Sequence, residues 1–203
     1  IGNPPYLNIE LLGENTRQYF HQNYQRVYMR RFDAYGLFIE KSISLLTDGG
    51  LSGMIVPSTM LNNITFTKLR KLILDSTTIL QIVNLGGKIF KNAINDTMIL
   101  IFTTTTTSAF DTDIHDVSKY GSDIETAEKI NTIDFLKTAK PPRYSFELKV
   151  TTDIAKIFEK MESISVPLSE ICFTFQGFVT GKNEAYIVTD NEIDAGNIER
   201  VKI

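Results

Sequence analysis

Buried-type strands that alternate with amphipathic helices predict an α/β protein whose sheet is mainly parallel and covered on both faces. Three stretches carry this reading. Residues 33–57 run from an apolar-faced helix through a glycine turn into a buried strand, residues 66–85 repeat the helix-then-strand order, and residues 97–106 supply a third apolar strand.

The chain opens on "IGNPPYLN". Proline fixes φ and restricts its predecessor, so Asn3-Pro4-Pro5-Tyr6 reads either as a turn after a strand or as something built at a strand end. Residues 8–32 are polar and aromatic, carry Arg17, Arg26, Arg30 and Arg31, and show no sustained apolar stripe. They are expected to form a long, partly ordered loop with at most a helical turn, and long loops in compact domains are often functional.

From Asp33 the signal sharpens. Leu37, Phe38, Ile39, Ile43, Leu45 and Leu46 give one apolar helix face, Asp48-Gly49-Gly50 ends that helix, and Leu51 to Val56 forms a buried strand stopped by Pro57. "FTKLRKLILDS" gives a second amphipathic helix and Thr78 to Leu85 a second buried strand. "GGKIFKNAIND" is a loop, and the strand from Thr97 that follows it without a helix is expected as an antiparallel partner at the end of the sheet. Thr103 to Thr107 reads as strand end and connector.

Residues 108–150 are mixed and polar with a Pro141-Pro142 break, expected as a linker carrying short strands. "TTDIAKIFEKMES" has a capping threonine and apolar positions Ile154, Ile157, Phe158 and Met161, an amphipathic helix. From Val166 onward, short strands broken by Gly177 and Gly181 suggest the start of a second domain.

Composition narrows the function classes. A chain of 203 residues suits one domain plus part of another at about 150 residues per domain. A net charge of −3 excludes coating of nucleic acid by bulk electrostatics, though not a local basic face. One cysteine, Cys172, cannot form an internal disulfide; it fits a reducing cytoplasm and is expected as a small buried hydrophobe. No run approaches the ~18 apolar residues of a membrane span, so no membrane partner is expected and the protein is placed in the cytoplasm. His21 and His115 lack acidic or cysteine neighbours at ligand spacing, which leaves metal chemistry and a serine–histidine triad unsupported.

The opening stretch then acquires a chemical reading. In open parallel sheets ligands bind beyond the carboxyl ends of the strands. Asn3 offers a carbonyl oxygen there, and Pro4 a backbone carbonyl. Two fixed acceptors satisfy both protons of a planar NH₂ group and make its nitrogen more electron-rich as it turns tetrahedral, an interaction that strengthens towards the transition state. Tyr6 adds a flat π-face for an aromatic ring that carries the amine.

With these residues the sequence resembles the NPPY-motif, S-adenosylmethionine-dependent amino-methyltransferases, and within them the Taq-type DNA adenine-N6 methyltransferases of restriction-modification systems. The likeness continues through "DAYGLFIEKSISLLTDGGLSGMIVPSTML", "FKNAINDTMILIF" and "ICFTFQGFVTGKNEAYIV", in the family's order. It implies a partial Rossmann-like methyltransferase sheet, the acceptor half, in residues 1–107, the linker in 108–150, and in 151–203 a helix and the beginning of a mostly β target recognition domain. It implies catalytic roles for Asn3, Pro4, Pro5 and Tyr6, with the Asn3 oxygen and Pro4 carbonyl on the adenine amine and Tyr6 and Phe90 stacked on the two faces of a base flipped from double-stranded DNA. Phe90 reads otherwise as core packing. Lys88 and Lys91 read equally as phosphate contacts or as solvated loop charges.

The family's glycine-rich donor loop and its acidic partner do not occur in this sequence. The chain is therefore expected to be a fragment, with the S-adenosylmethionine site mostly outside it, inactive alone, and partnered by the rest of its parent polypeptide and by a fused or separate nuclease. The alternatives are an NPPY methyltransferase of protein glutamine or an RNA base, which usually ends soon after the sheet, and a non-catalytic DNA-binding module, against which the retained Asn3, Tyr6 and Phe90 argue.

Overall fold

The computed structural model describes residues 1–29, 31–87, 96–105, 110–117, 129–149 and 152–173, with 175, 177 and 193. Two compact units emerge, Ile1–Phe158 and Glu159–Ile203.

The first unit is built on five strands: β1 (Leu51–Pro57), β2 (Thr78–Gly86), β3 (Thr97–Thr103), β4 (Thr112–Asp116) and β5 (Lys129–Ile133). Their order is β1-β3-β2-β4-β5. β3 is antiparallel to both β1 and β2, β4 is parallel to β2, and β5 is antiparallel to β4. The sheet is thus α/β but mixed, which corrects the expectation of mainly parallel pairing. The cause is β3. Helix-linked β1 and β2 run the same way, as expected of a crossover unit, but the helix-free return from β2 reverses the chain and slots β3 between them. β3 is therefore an internal strand and not the end of the sheet, and β4 and β5 of the 108–150 stretch belong to the same sheet.

The helices of this unit are α1 (Glu14–Asn23), α2 (Tyr35–Leu45), α3 (Thr67–Ser76) and the four-residue α4 (Phe135–Thr138). α1 occupies the stretch expected as loop. It has no buried residue, so it left no apolar stripe to read; an Arg17–Glu14 ion pair one turn apart braces its surface instead. α2 buries Tyr35, Leu37 and Ile39, and ends in a turn where Gly49 takes φ +72° and the Gly50 N–H donates to the Thr47 carbonyl at 2.8 Å. Only glycine enters that φ region without strain.

One large core joins these helices to one sheet face, through Leu37, Ile39, Leu69 and Ile73 against Val56, Ile82, Leu100 and Phe102. On the opposite face the buried apolar residues are Val83, Leu85 and Val117, with Ile55 and Ile99 partly covered. Among the described residues the helical cover is therefore one-sided, contrary to the two-sided expectation.

Helix α5 (Thr152–Ile164) forms where expected and runs across the division between the units, with Ile157, Phe158 and Met161 exposed. In the second unit Leu168–Ile171 forms a short helix, α6, where short strands were expected. Cys172 is exposed, which corrects its assignment as a buried hydrophobe.

Candidate active site

Gly2 supplies the strand end that the opening tetrapeptide requires. Its N–H donates to the Gly53 carbonyl at 2.9 Å, its carbonyl accepts from Ile55 N–H at 3.0 Å, and the bridge is parallel to β1. Asn3-Pro4-Pro5-Tyr6 therefore leaves the sheet towards the carboxyl end of β1. The far side is pinned as well, because Ile9 N–H donates to the Phe32 carbonyl at 3.0 Å and Ala34 N–H to the Leu7 carbonyl at 2.8 Å. Two prolines between two such anchors leave the segment little conformational freedom.

Within the tetrapeptide, Asn3 and Pro5 are exposed, Pro4 is buried and Tyr6 is half-buried. Asn3 makes no side-chain hydrogen bond among the described residues, so its amide faces solvent at the rim. The Tyr6 hydroxyl donates to the Ile55 carbonyl at 3.0 Å. Burial pushes the Tyr6 hydroxyl above its usual range.

Behind Tyr6 stands an aromatic stack that sequence reasoning did not assemble. The Tyr6 and Tyr35 rings are perpendicular at 6.2 Å, Tyr35 stacks on Phe66 at 5.0 Å, and Phe66 meets Phe32 at 5.5 Å. Burial first, and then the Asp33 carboxylate, hold the Tyr35 hydroxyl well above its ordinary value. Burial also raises Asp33 and Glu40, the latter against the opposing pull of Arg26 and a Val27 backbone contact. The one advance sign of this stack was the density of aromatic residues in "MRRFDAYGLF" and "NNITF".

The neighbouring strand ends converge on the same rim. Both the N–H and Oγ of Ser58, just past β1, donate to the Asp96 carbonyl at 2.9 and 3.1 Å. A Cβ on Gly87 would lie 2.5 Å from the Asp96 carboxylate, so the stretch between β2 and β3 is tied at its base. Lys88, Phe90 and Lys91, assigned to base stacking and phosphate contact, lie in that stretch and outside the described residues.

Arg70 of α3 is a further residue missed. It shares a helical face with Ile73, yet its charge suggested solvent; it is fully buried, and its guanidinium donates to the carbonyls of Met60 and Asn63 at 2.8 Å, Arg143 at 2.6 Å and Tyr144 at 2.9 Å. It thereby fastens the segment leaving β1 to a segment more than seventy residues later in the chain.

Taken together, this is a rigid rim at the carboxyl ends of β1 and β2, with an exposed amide, an anchored tyrosine and no metal-ligating cluster among the described residues. Such a rim presents hydrogen-bond acceptors beside an aromatic face.

The family model for the Eco57I restriction-modification methylase matches residues 1–90. The chain is 33% identical over 104 residues to the type II restriction enzyme and methyltransferase RM.Eco57I of Escherichia coli, covering 49% of this chain and 10% of that protein. It is 35% identical over 85 residues to the type II methyltransferase M.BstVI of Geobacillus stearothermophilus, covering 42% and 15%. The matches thus span only a small part of either relative. Among solved structures the type IIL restriction-modification enzyme MmeI, determined in complex with DNA, is similar with a TM-score of 0.52 at 12% identity, over 65% of this chain and 18% of that one; at that identity the likeness concerns fold alone. The stretch that carries the Asn3–Tyr6 rim lies within residues 1–90, the part of the chain that is similar to the Eco57I restriction-modification methylase family.

Proposed function

We propose that this chain forms the acceptor side of a DNA adenine-N6 methyltransferase. The Asn3 side-chain oxygen and the Pro4 carbonyl accept the two protons of the adenine exocyclic amine, and the ring of Tyr6 stacks on the extruded base. The observation that carries this reading is the doubly anchored Asn3–Tyr6 segment at the carboxyl end of β1, with an exposed amide beside a tyrosine fixed to the Ile55 carbonyl.

The chemistry follows from the acceptors. Each hydrogen bond to an amine proton shifts electron density towards nitrogen, and the bonds shorten as nitrogen becomes tetrahedral and acquires positive charge. No general base is needed before attack. Flipping costs roughly a few kcal/mol, and stacking of about 1 to 3 kcal/mol per aromatic offsets part of it. Tyr6 supplies one such face; Phe90 is proposed for the other.

S-adenosylmethionine is the methyl donor implied by the resemblance. The described residues do not fit a cradle for it, because both glycine pairs are taken up by the chain's own turns. A Cβ at Gly50 would lie 2.8 Å from the Thr47 carbonyl oxygen, and one at Gly87 would strike Asp96. The residues of this chain therefore act on the acceptor, and donor binding is assigned to the remainder of the parent protein. The residues after the sheet are proposed as linker and the entry to a target recognition domain, with double-stranded DNA and a nuclease activity in the same system as partners.

The full-length protein incubated with S-adenosylmethionine carrying an isotopically labelled methyl group and duplex DNA is expected to yield labelled N6-methyladenosine on nucleoside analysis. Label found only in cytosine, in RNA or in protein would overturn the assignment.

A further inference from the structure

The charge of Arg70 is the starting point. Its guanidinium is fully buried and met by four backbone carbonyls and the Thr67 hydroxyl, at 3.3 Å, rather than by a carboxylate. Carbonyls satisfy its hydrogen bonds but do not cancel its charge, which therefore acts on the surface above it.

That surface is basic. Arg70 holds the Asn63 and Arg143 carbonyls on one guanidinium, so exposed Asn63 and exposed Arg143 sit side by side. Lys140 closes the same turn by accepting the Tyr144 N–H at 2.9 Å, and Lys71 Nζ lies 5.7 Å from the Tyr144 ring centroid. Asp75 pairs with Lys71 and Glu147 acts on Arg70, so the exposed charge left over on this surface is that of Arg143, in a chain whose net charge is −3. Several other cations of the first unit are engaged locally: Arg17 by Glu14, Arg31 by Glu10, Arg26 by the Ser76 hydroxyl and Lys68 by the Tyr28 carbonyl. Arg143 makes no side-chain ion pair or hydrogen bond among the described residues.

The patch lies at the same strand end as the candidate site, because Asn63 sits on the segment that leaves β1 at Pro57 and Asn3–Tyr6 leaves the sheet towards that carboxyl end; beneath the surface, Asn63 accepts the Phe66 N–H at 3.1 Å, buried Phe66 stacks on buried Tyr35, and Tyr35 meets Tyr6. Position and charge fit one partner, a polyanion whose base enters at Tyr6.

We propose that the surface over Arg70, with Arg143 as its exposed cation, contacts the phosphate backbone of duplex DNA beside the base-binding rim. The proposal rests on the DNA methyltransferase reading above. Arg70 charges and shapes the patch, Asn63 offers its side-chain amide, and Arg143 reaches the phosphate.

The experiment is a salt titration of duplex DNA binding by the full-length protein, comparing wild type, Arg143→Gln, Arg143→Lys and Asn3→Ala. Neutralising one phosphate contributes about −0.9 to the slope of log K against log salt. Arg143→Gln is expected to flatten the slope by about one and to weaken binding uniformly across sequences. Arg143→Lys should restore the slope, and Asn3→Ala should keep the wild-type slope while losing methylation. An unchanged slope and affinity in Arg143→Gln, with wild type methylating DNA, would overturn the phosphate contact alone. A wild type that neither binds nor methylates duplex DNA would overturn the underlying reading and this one with it.

Discussion

Replacing Arg70 by alanine removes a donor to four backbone carbonyls, those of Met60, Asn63, Arg143 and Tyr144; Asn63 keeps the Phe66 N–H, while the other three accept no other hydrogen bond among the described residues. An unpaired buried polar group costs about 1 to 3 kcal/mol, and water entering the space left by the side chain recovers part of that. At the lower bound for each of the three carbonyls left without a donor, the loss is about 3 kcal/mol. A domain of this size is stable by about 5 to 15 kcal/mol, so the substitution consumes a large share. The melting temperature should fall by roughly 6 to 12 °C, at about 2 to 4 °C per kcal/mol.

Thermal melting of the full-length protein, read by circular dichroism, checks the total. Amide exchange locates it: the Phe146 N–H, bonded to the Leu61 carbonyl at 2.8 Å, and the Phe66 N–H should lose protection first. Arg70→Lys keeps the charge but brings a single nitrogen to acceptors spread around a fork, so it should recover only part of the loss. A fall of less than ~1 kcal/mol in Arg70→Ala, with protection at Phe146 retained, would show that the guanidinium does not fasten the two segments.

Three further outcomes follow from local geometry. Gly36→Ala places a Cβ 2.1 Å from Phe32 Cζ, and because that ring is fully buried the overpacking of about 1 to 3 kcal/mol should outweigh the better helix propensity of alanine; an unchanged or raised melting temperature would contradict this. Tyr6→Phe loses the bond to the Ile55 carbonyl, about 0.5 to 1.5 kcal/mol, but keeps the ring, so methylation should fall far less than in Tyr6→Ala, and equal losses would mean that the hydroxyl and not the ring matters. Burial raises the folded-state value of Glu40, so its charged form costs stability above the ordinary carboxylate range near 4.5 and that cost disappears on protonation at lower pH; Glu40→Gln should therefore melt above wild type at pH 7 and converge with it on acidification, and a gap that widens towards low pH would refute the burial argument.

The sequence made legible whatever is periodic and local. Leu37 and Ile39, the Gly49-Gly50 turn, the Leu69–Leu72–Ile73 stripe and the apolar runs of β1, β2 and β3 each sit where their spacing placed them, whereas Phe38 and Leu45, read on the same apolar face, are exposed. What escaped depends on contacts between distant residues. α1 buries nothing, so it carries no stripe. The position of β3 between β1 and β2 is a pairing choice made across the sheet, which no single run encodes. Arg70 reads as a surface cation until the carbonyls of Arg143 and Tyr144 arrive from the far end of the unit. The chemistry proposed for Asn3–Tyr6 comes from residue types that already specify the acceptors and the ring; its anchors, Gly2 on β1 and the Tyr6 hydroxyl on Ile55, were not legible.

The central claim is that Asn3 grips the reacting amine. It is tested most directly by Asn3→Ala in the full-length protein, with single-turnover methylation and duplex DNA affinity measured side by side. Asn3 is exposed at the rim and holds no other segment, so the fold and the phosphate contacts that dominate affinity should be untouched. The methylation rate should fall by about two orders of magnitude or more, the range for deleting one group that acts on developing charge, while affinity stays within a few-fold and Asn3→Asp, which keeps an acceptor oxygen, falls less. A near-normal methylation rate in Asn3→Ala, or a loss that tracks DNA affinity, would contradict the clamp.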